Sequence, residues 1–212
     1  GLKFTQSVID LSGGMLFPLL CLTAISAIIL GMGMTTTAVY ITVAALIVPS
    51  LIEAGILPIA AHMFAFYFGV VSTITPPVAL ASFAGAAIAK SPPMATAFES
   101  SKVGIAKYIV PFAFIYNPSL LMEGPRIWSF YSLISVLLAY WCMTLGLEGW
   151  FNGKLNVYKR TLALLGSVSL LIPPLQIIYG IQGFYYNAIG ILLLALIYFV
   201  QGKLNFNLKA QS

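Results

Sequence analysis

Apolar residues run almost unbroken along this chain, and the places where they stop carry most of the information. Between Asp10 and Glu53 about 42 residues in succession bear no charge. As one α-helix at 1.5 Å per residue they would span about 63 Å, twice the hydrocarbon core of a bilayer. The run must fold back on itself. The place to turn is Gly31-Met32-Gly33-Met34-Thr35-Thr36-Thr37, where glycines lower helix propensity and threonines add hydroxyls. The arms on either side, roughly 15 to 30 and 38 to 52, are short for a full crossing. They suit a re-entrant hairpin whose tip stops near mid-membrane.

A second neutral run, Ala54 to Ala89, is about 36 residues and again too long for one regular helix. Its break is Ser72-Thr73-Ile74-Thr75-Pro76-Pro77. Two adjacent prolines remove two N–H donors and push Thr75 away from helical angles, so nearby carbonyls are expected to lose their partners. Bare backbone at membrane depth is tolerated only where protein buries it or where it lines a polar cavity. The segment reads as a discontinuous helix. Lys90 to Lys107 mixes Pro92, Pro93, Glu99, Lys102 and Lys107 with apolar side chains, as an interfacial amphipathic linker would.

Further crossings are expected over Tyr108–Met122 and Ile127–Leu147, then over Thr161–Tyr179 paired with Phe184–Gln201. The neutral turn Gly180-Ile181-Gln182-Gly183 separates the last pair. Pro173-Pro174 has no Ser or Thr beside it and reads as a structural kink. If every segment crosses, Lys90, Lys102 and Lys107 share a side with Lys154, Lys159 and Arg160 and with Lys203 and Lys209. Glu53, the Glu123–Arg126 turn and the Gly180 turn fall opposite. The excess of Lys and Arg places the first set, and the C-terminus, in the cytoplasm, so the hairpin enters from outside. Trp128, Trp141 and Trp150 read as interface anchors or lipid-facing packing.

Composition sharpens this picture. Of the 212 residues 60% are apolar and 7% charged, whereas a soluble domain carries about a quarter of its residues as charges. Such a surface must face lipid. The fold class is therefore an all-α polytopic integral membrane protein. The net charge of +5 does not point to nucleic acid, because Lys and Arg bracket apolar runs instead of forming a stripe. Cys21 and Cys142 lie inside apolar stretches without a CxxC or Cys/His neighbour, so neither a disulfide nor a metal site is expected. The opening Gly1-Leu2-Lys3 lacks Met, and the chain is expected to be the carboxy-terminal part of a longer one.

An enzyme has little to work with here. The single histidine, His62, excludes His-pair metal motifs. Asp10, Glu53, Glu99, Glu123 and Glu148 fall at run ends or in linkers, and no Ser/His spacing suggests a triad. The two interrupted segments are different. Arms that end inside the membrane leave unpaired carbonyls at one terminus and unpaired N–H groups at the other. Carbonyls with Thr hydroxyls supply the hard oxygens an alkali cation needs, and the N–H ends favour an anionic group. The plainer readings are that Gly and Thr form a close-packing surface and that Pro-Pro only kinks a helix. For His62 the plainer reading is a polar interfacial residue, and the functional one a proton relay.

Four motifs carry a family likeness. Gly31-Met-Gly-Met-Thr-Thr-Thr-Ala-Val-Tyr40, Ala61-His-Met-Phe-Ala-Phe-Tyr-Phe-Gly69, Thr75-Pro-Pro-Val-Ala79 and Pro111-Phe-Ala-Phe-Ile-Tyr-Asn-Pro118 resemble the tripartite ATP-independent periplasmic (TRAP) transporters. The likeness is to the large permease of the fused type, strong over residues 10 to 125 and less distinctive to about 202. It implies an elevator-type secondary transporter of inverted repeats in a bacterial or archaeal inner membrane. A periplasmic substrate-binding protein would deliver a small organic acid, and sodium would be the coupling ion, with no other cofactor.

On that likeness residues 1–125 hold the second transport repeat and 126–212 the C-terminal transmembrane helices, with the N-terminal part of the permease as partner. Gly31, Gly33, Thr36, Thr37, Thr73 and Thr75 would bind the ion. Thr35, Ser72, Pro76 and Pro77 would bind the substrate carboxylate. The family often has proline where Thr35 stands. Two competing readings are proton coupling through His62 or Glu53, and a non-transporting membrane anchor or assembly subunit.

Overall fold

In a computed structural model of the chain, residues 7, 10–151, 153–178 and 181–209 are described, with 178 and 200–209 described by backbone alone. The overlong first run does turn back. Helix α1, Leu16–Gly31, ends where Met32 becomes extended and Gly33 takes φ +79. Thr35, at φ −69 and ψ 149, then leads into α2, Thr36–Leu46. Positive φ at the centre of this tight turn suits glycine, which has no Cβ to clash. A bend at Ile47 passes into α3, Val48–Glu53. Helix α4, Pro58–Val71, starts the second run and α5, Leu80–Ala89, finishes it. Helices α6, Pro93–Val103, and α7, Ala106–Tyr116, follow, then a 3-10 turn over Pro118–Leu121. Pro49, Pro58 and Pro93 each stand in a first helical turn, where the missing N–H is not needed.

These elements belong to the first of two compact units, Gly1–Leu121 and Met122–Ser212. Within it α4 packs on α1, α2 and α7. Leu20, Val39, Val43, Ile47, Leu51 and Phe64 are completely buried in the resulting core. Phe112 of α7 sets its ring edge-on to Phe64 and Phe68 of α4, at centroid distances of 5.3 and 5.8 Å, near the favoured geometry for aromatic pairs. Small residues allow the close approach of α2 to α4. A Cβ built on Gly69 would lie 2.8 Å from Val39 Cγ1. Ile25, Ile29 and Ile41 point outward, as lipid-facing positions do.

In the second unit α8, Arg126–Glu148, is the one helix among the described residues long and apolar enough to cross a membrane. Helix α9, Val157–Leu171, packs against both α8 and α10, Gly183–Lys209. Asn156 Oδ1 caps α9 by accepting from Val157 N at 2.7 Å. Arg160 of α9 reaches the end of α8, donating from Nε to Gly146 O (2.9 Å) and from Nη2 to Leu147 O (2.7 Å). A cation there satisfies orphan carbonyls and complements the negative helix end. Trp141 and Trp150 are exposed, while Trp128 is half-buried and edge-on to Tyr131.

Several expectations need correction. Thr161–Tyr179 is not one kinked crossing: α9 stops at Leu171, and Pro173-Pro174 end it instead of bending it. Ile172 is already extended, as a residue before proline prefers. The two prolines withhold the N–H groups due to Ser169 O and Leu170 O. Ser135 Oγ of α8 donates to Leu170 O at 2.7 Å, and Asn187 of α10, with its amide nitrogen turned to α9, donates to Ser169 O (2.8 Å) and Ile172 O (3.1 Å). Of the expected turn Gly180–Gly183, Ile181 and Gln182 instead form a strand pairing antiparallel with Ile178 and Ile177, and Gly183 begins α10. This ladder and a bridge between Trp150 and Lys154 are the departures from an all-α fold among the described residues. Tyr179 and Gly180 lie outside those residues. Tyr108–Met122 is helical only to Tyr116, because Pro118 lets the chain continue only as a 3-10 turn.

Candidate functional site

Helix α4 ends at Val71 because Pro76 and Pro77, joined by a cis peptide bond, cannot extend it. In a continuing helix Pro76 N would serve Ser72 O and Pro77 N would serve Thr73 O. Those carbonyls are served otherwise. Thr75 N donates to Ser72 O at 3.3 Å, and Ala81 N reaches back to Thr73 O at 3.0 Å. Hydroxyls do the rest. Ser72 Oγ donates to Gly69 O (2.6 Å), Thr73 Oγ1 to Val70 O (2.7 Å) and Thr75 Oγ1 to Val71 O (2.7 Å). The two carbonyls expected to be left bare are thus re-paired by backbone N–H groups, while the Ser and Thr hydroxyls serve the last carbonyls of α4, Gly69 O, Val70 O and Val71 O. Ser72 O and Thr73 O each accept from one backbone N–H and Ile74 O from a serine hydroxyl outside the segment, and a carbonyl can accept two.

The hairpin turn and this break meet. Ser72 Oγ lies 3.1 Å from Gly31 O as well as close to Gly69 O, so its single hydrogen is shared between carbonyls 38 residues apart in sequence (69 − 31 = 38). Gly31 has to be glycine, since a Cβ there would overlap the Ser72 hydroxyl and lie 2.7 Å from Ser72 Cβ. Gly33 stands close as well: a Cβ on it would come within 3.9 Å of Val78 Cγ1, just past the prolines.

The sequence-derived candidates therefore separate. Gly31 and Ser72 are in contact and fully buried, and Gly33 lies beside the break. Thr73, Thr75 and Pro76 are half-buried and Pro77 is exposed. Thr35, Thr36 and Thr37 are exposed around the first turn of α2, whose leading N–H groups have no intrahelical acceptor. Among the described residues none of the three bonds to the break. Ser72, expected to face the solute, instead has its hydroxyl committed to the two glycine carbonyls in this structure.

Other participants had no sequence signal strong enough to single them out. Ser101 Oγ of α6 donates to Ile74 O at 2.9 Å. Tyr108 of α7 places its phenol 2.7 Å from Thr75 Oγ1 and 3.3 Å from Ser101 Oγ. Both lie in or beside the stretch that reads as a surface linker, and only the packing of the α6–α7 joint on Ile74 brings them in. Tyr40, at the end of the tip motif, bonds His62 Nδ1 at 3.1 Å and meets Phe66 edge-on. Its position in a glycine- and threonine-rich motif was the available hint. Glu53 is exposed beside a cavity of about 230 Å³ lined also by Ser12, Gly14 and Leu19.

Apolar helices with outward-facing Ile and Leu, interrupted where hydroxyls gather, define a helical membrane protein whose two chain breaks meet. Its first 124 residues match the family model described as Tripartite ATP-independent periplasmic transporter, DctM component, and the chain belongs to that family. It is accordingly part of a TRAP-type secondary transporter permease, a multi-pass inner-membrane protein of a transporter and not an enzyme family. No curated protein and no solved structure matches the chain.

Proposed function

We propose that the chain forms the second transport repeat, with its C-terminal helices, of a permease that imports a small organic acid with sodium. The observation that carries this reading is the Ser72–Gly31 contact, which brings both chain breaks to one place. Family membership supplies the partner, a periplasmic binding protein that hands over the solute.

The chemistry follows from what the breaks leave over. A sodium ion needs several oxygens at short range and no formal negative charge beyond what its co-transported solute brings. Carbonyl oxygens at the tip (Gly33, and Gly31 if it exchanges a hydrogen bond for the ion) and in the break (Thr73), with the hydroxyls of Thr36, Thr37, Thr73 and Thr75, provide neutral hard ligands. The exposed N–H groups at the start of α2, with Thr35 alongside, suit a carboxylate. Pro76 and Pro77 wall the same space, and Ser72 ties its two sides together. In this reading α1 and α2 are a re-entrant hairpin entered from the periplasm, the C-terminus is cytoplasmic, and the repeat moves as an elevator against the rest of the permease.

The test is uptake of candidate carboxylates by the complete permease and its binding protein in proteoliposomes. Thr75→Val is expected to raise the half-saturating sodium concentration about tenfold while the protein still inserts. Sodium dependence unchanged in that variant rejects the site. A second reading, proton coupling, draws on the Tyr40–His62 hydrogen bond. Uptake driven by a pH gradient in sodium-free buffer, and lost in His62→Gln, would establish it instead.

A further inference from the structure

We infer that Tyr108 is a positioning residue for the cation site, acting through Thr75; the inference rests on the sodium-coupled reading above. Hydrogen counting leads to it. Thr75, Ser101 and Tyr108 bring three hydroxyls together, and each has one hydrogen to give. The hydrogen of Thr75 goes to Val71 O at 2.7 Å and that of Ser101 to Ile74 O at 2.9 Å. The hydrogen of Tyr108 then has two acceptors in reach, Thr75 Oγ1 at 2.7 Å and Ser101 Oγ at 3.3 Å, and the shorter contact takes the larger share of it.

Thr75 Oγ1 consequently donates once and accepts once, and retains one lone pair whose direction is fixed by the other two bonds. An unpinned threonine in a broken helix chooses among rotamers and turns its hydroxyl freely. Here it is held from α4 on one side and from α7 on the other. A ligand oxygen held in place before the ion arrives spares the ordering cost at binding, and that is what a supporting residue contributes to a site.

The joint that delivers Tyr108 is itself built tightly onto the break. A Cβ on Gly104, between α6 and α7, would lie 2.8 Å from Ile74 Cδ1 and 2.9 Å from Ser100 O, so glycine there lets the joint seat closely on Ile74. Ser101 precedes Gly104 by three residues and Tyr108 follows it by four. The joint thus holds the carbonyl of Ile74 and the hydroxyl of Thr75 at once. The segment that reads as a surface linker is on this account the strut of the ion site.

The bland alternative is that Tyr108 merely satisfies buried hydroxyls. The two differ in what they move. In complete permease with its binding protein, reconstituted in proteoliposomes, Tyr108→Phe removes one oxygen and keeps the ring. It is expected to raise the half-saturating sodium concentration about fivefold, the worth of one net hydrogen bond. Maximal rate and the half-saturating solute concentration should stay within about twofold. Tyr108→Phe combined with Thr75→Val should equal Thr75→Val alone, because the phenol acts only through that hydroxyl. A Tyr108→Phe protein that loses thermal stability with its sodium dependence intact, while Thr75→Val shifts that dependence, overturns the inference and leaves the site standing. Additive effects in the double variant overturn it too. Sodium dependence unmoved by Thr75→Val removes the site and the strut together.

Discussion

The hydroxyl of Ser72 stands 3.1 Å from the carbonyl of Gly31, 41 residues earlier, and 2.6 Å from that of Gly69, one helical turn earlier. One buried side chain thus joins the end of α1 to the end of α4, at the two points where neutral runs too long for the bilayer break. Removing either half of the contact has distinct consequences.

Ser72→Ala takes away the donor but adds no bulk. It is expected to cost about 1–2 kcal/mol in thermal unfolding of the detergent-solubilised permease, the usual toll for a lost buried hydrogen bond. Gly31→Ala should be worse, because the new methyl meets Ser72 Oγ, Ser72 Cβ and Val39. Uptake by Gly31→Ala should fall more than about tenfold, and pairing it with Ser72→Gly should restore part of the loss. If the pair is no better than Gly31→Ala alone, the clash is not where the structure puts it.

The contact between α2 and α4 can be probed from the opposite side. Gly69→Ala would bring a methyl to 2.8 Å of Val39 Cγ1, an overpacking that typically costs about 1–3 kcal/mol. Val39→Ala removes the obstructing methyl and should relieve Gly69→Ala, although alone it destabilises by opening a cavity where Val39 is completely buried. Melting temperatures of the two single variants and the double variant decide the matter. Strictly additive losses would count against a direct contact.

In the second unit the carbonyls that Pro173 and Pro174 leave unserved depend on Asn187 and Ser135. Asn187→Leu is expected to cost about 1–3 kcal/mol, since buried acceptors lose their donor. Pro173→Ala returns an N–H to the position facing Ser169 O and should recover part of that loss. Sodium half-saturation should not change in either variant, which separates this effect from those at the break.

Arg160→Met keeps the apolar stem of the side chain and discards the guanidinium that caps α8 at Gly146 O and Leu147 O. The expected penalty is about 1–2 kcal/mol by thermal unfolding, from lost cap bonds and a lost cation at a negative helix end. Arg160→Lys should recover less than half of it, because an ammonium cannot reproduce the fork. Full recovery by lysine would mean that charge alone matters.

Much of this fold was legible in the chain because the bilayer imposes a length. Neutral runs of about 42 and 36 residues cannot be single spans, and glycine, threonine and paired prolines show where each gives way. Helices α1, α2, α4 and α5 begin and end close to those signals. What the residues could not say was how each freed backbone group finds a new partner. Thr75-Pro-Pro and Ile172-Pro-Pro share the paired prolines, and the hydroxyls beside the first alone set them apart locally. One continues as a hydroxyl-laced break and the other ends a helix under the side chains of Ser135 and Asn187. The difference lies in neighbours brought close by folding, and local sequence does not encode those distances. The same holds for Tyr108 and Ser101, ordinary residues of an amphipathic stretch until Gly104 lets their joint settle on Ile74. Hydropathy and turn chemistry determined by themselves where the chain must break. Tertiary packing alone decided which hydroxyls and carbonyls face one another across the breaks, because a hydrogen bond depends on position to a fraction of an ångström and a burial pattern does not.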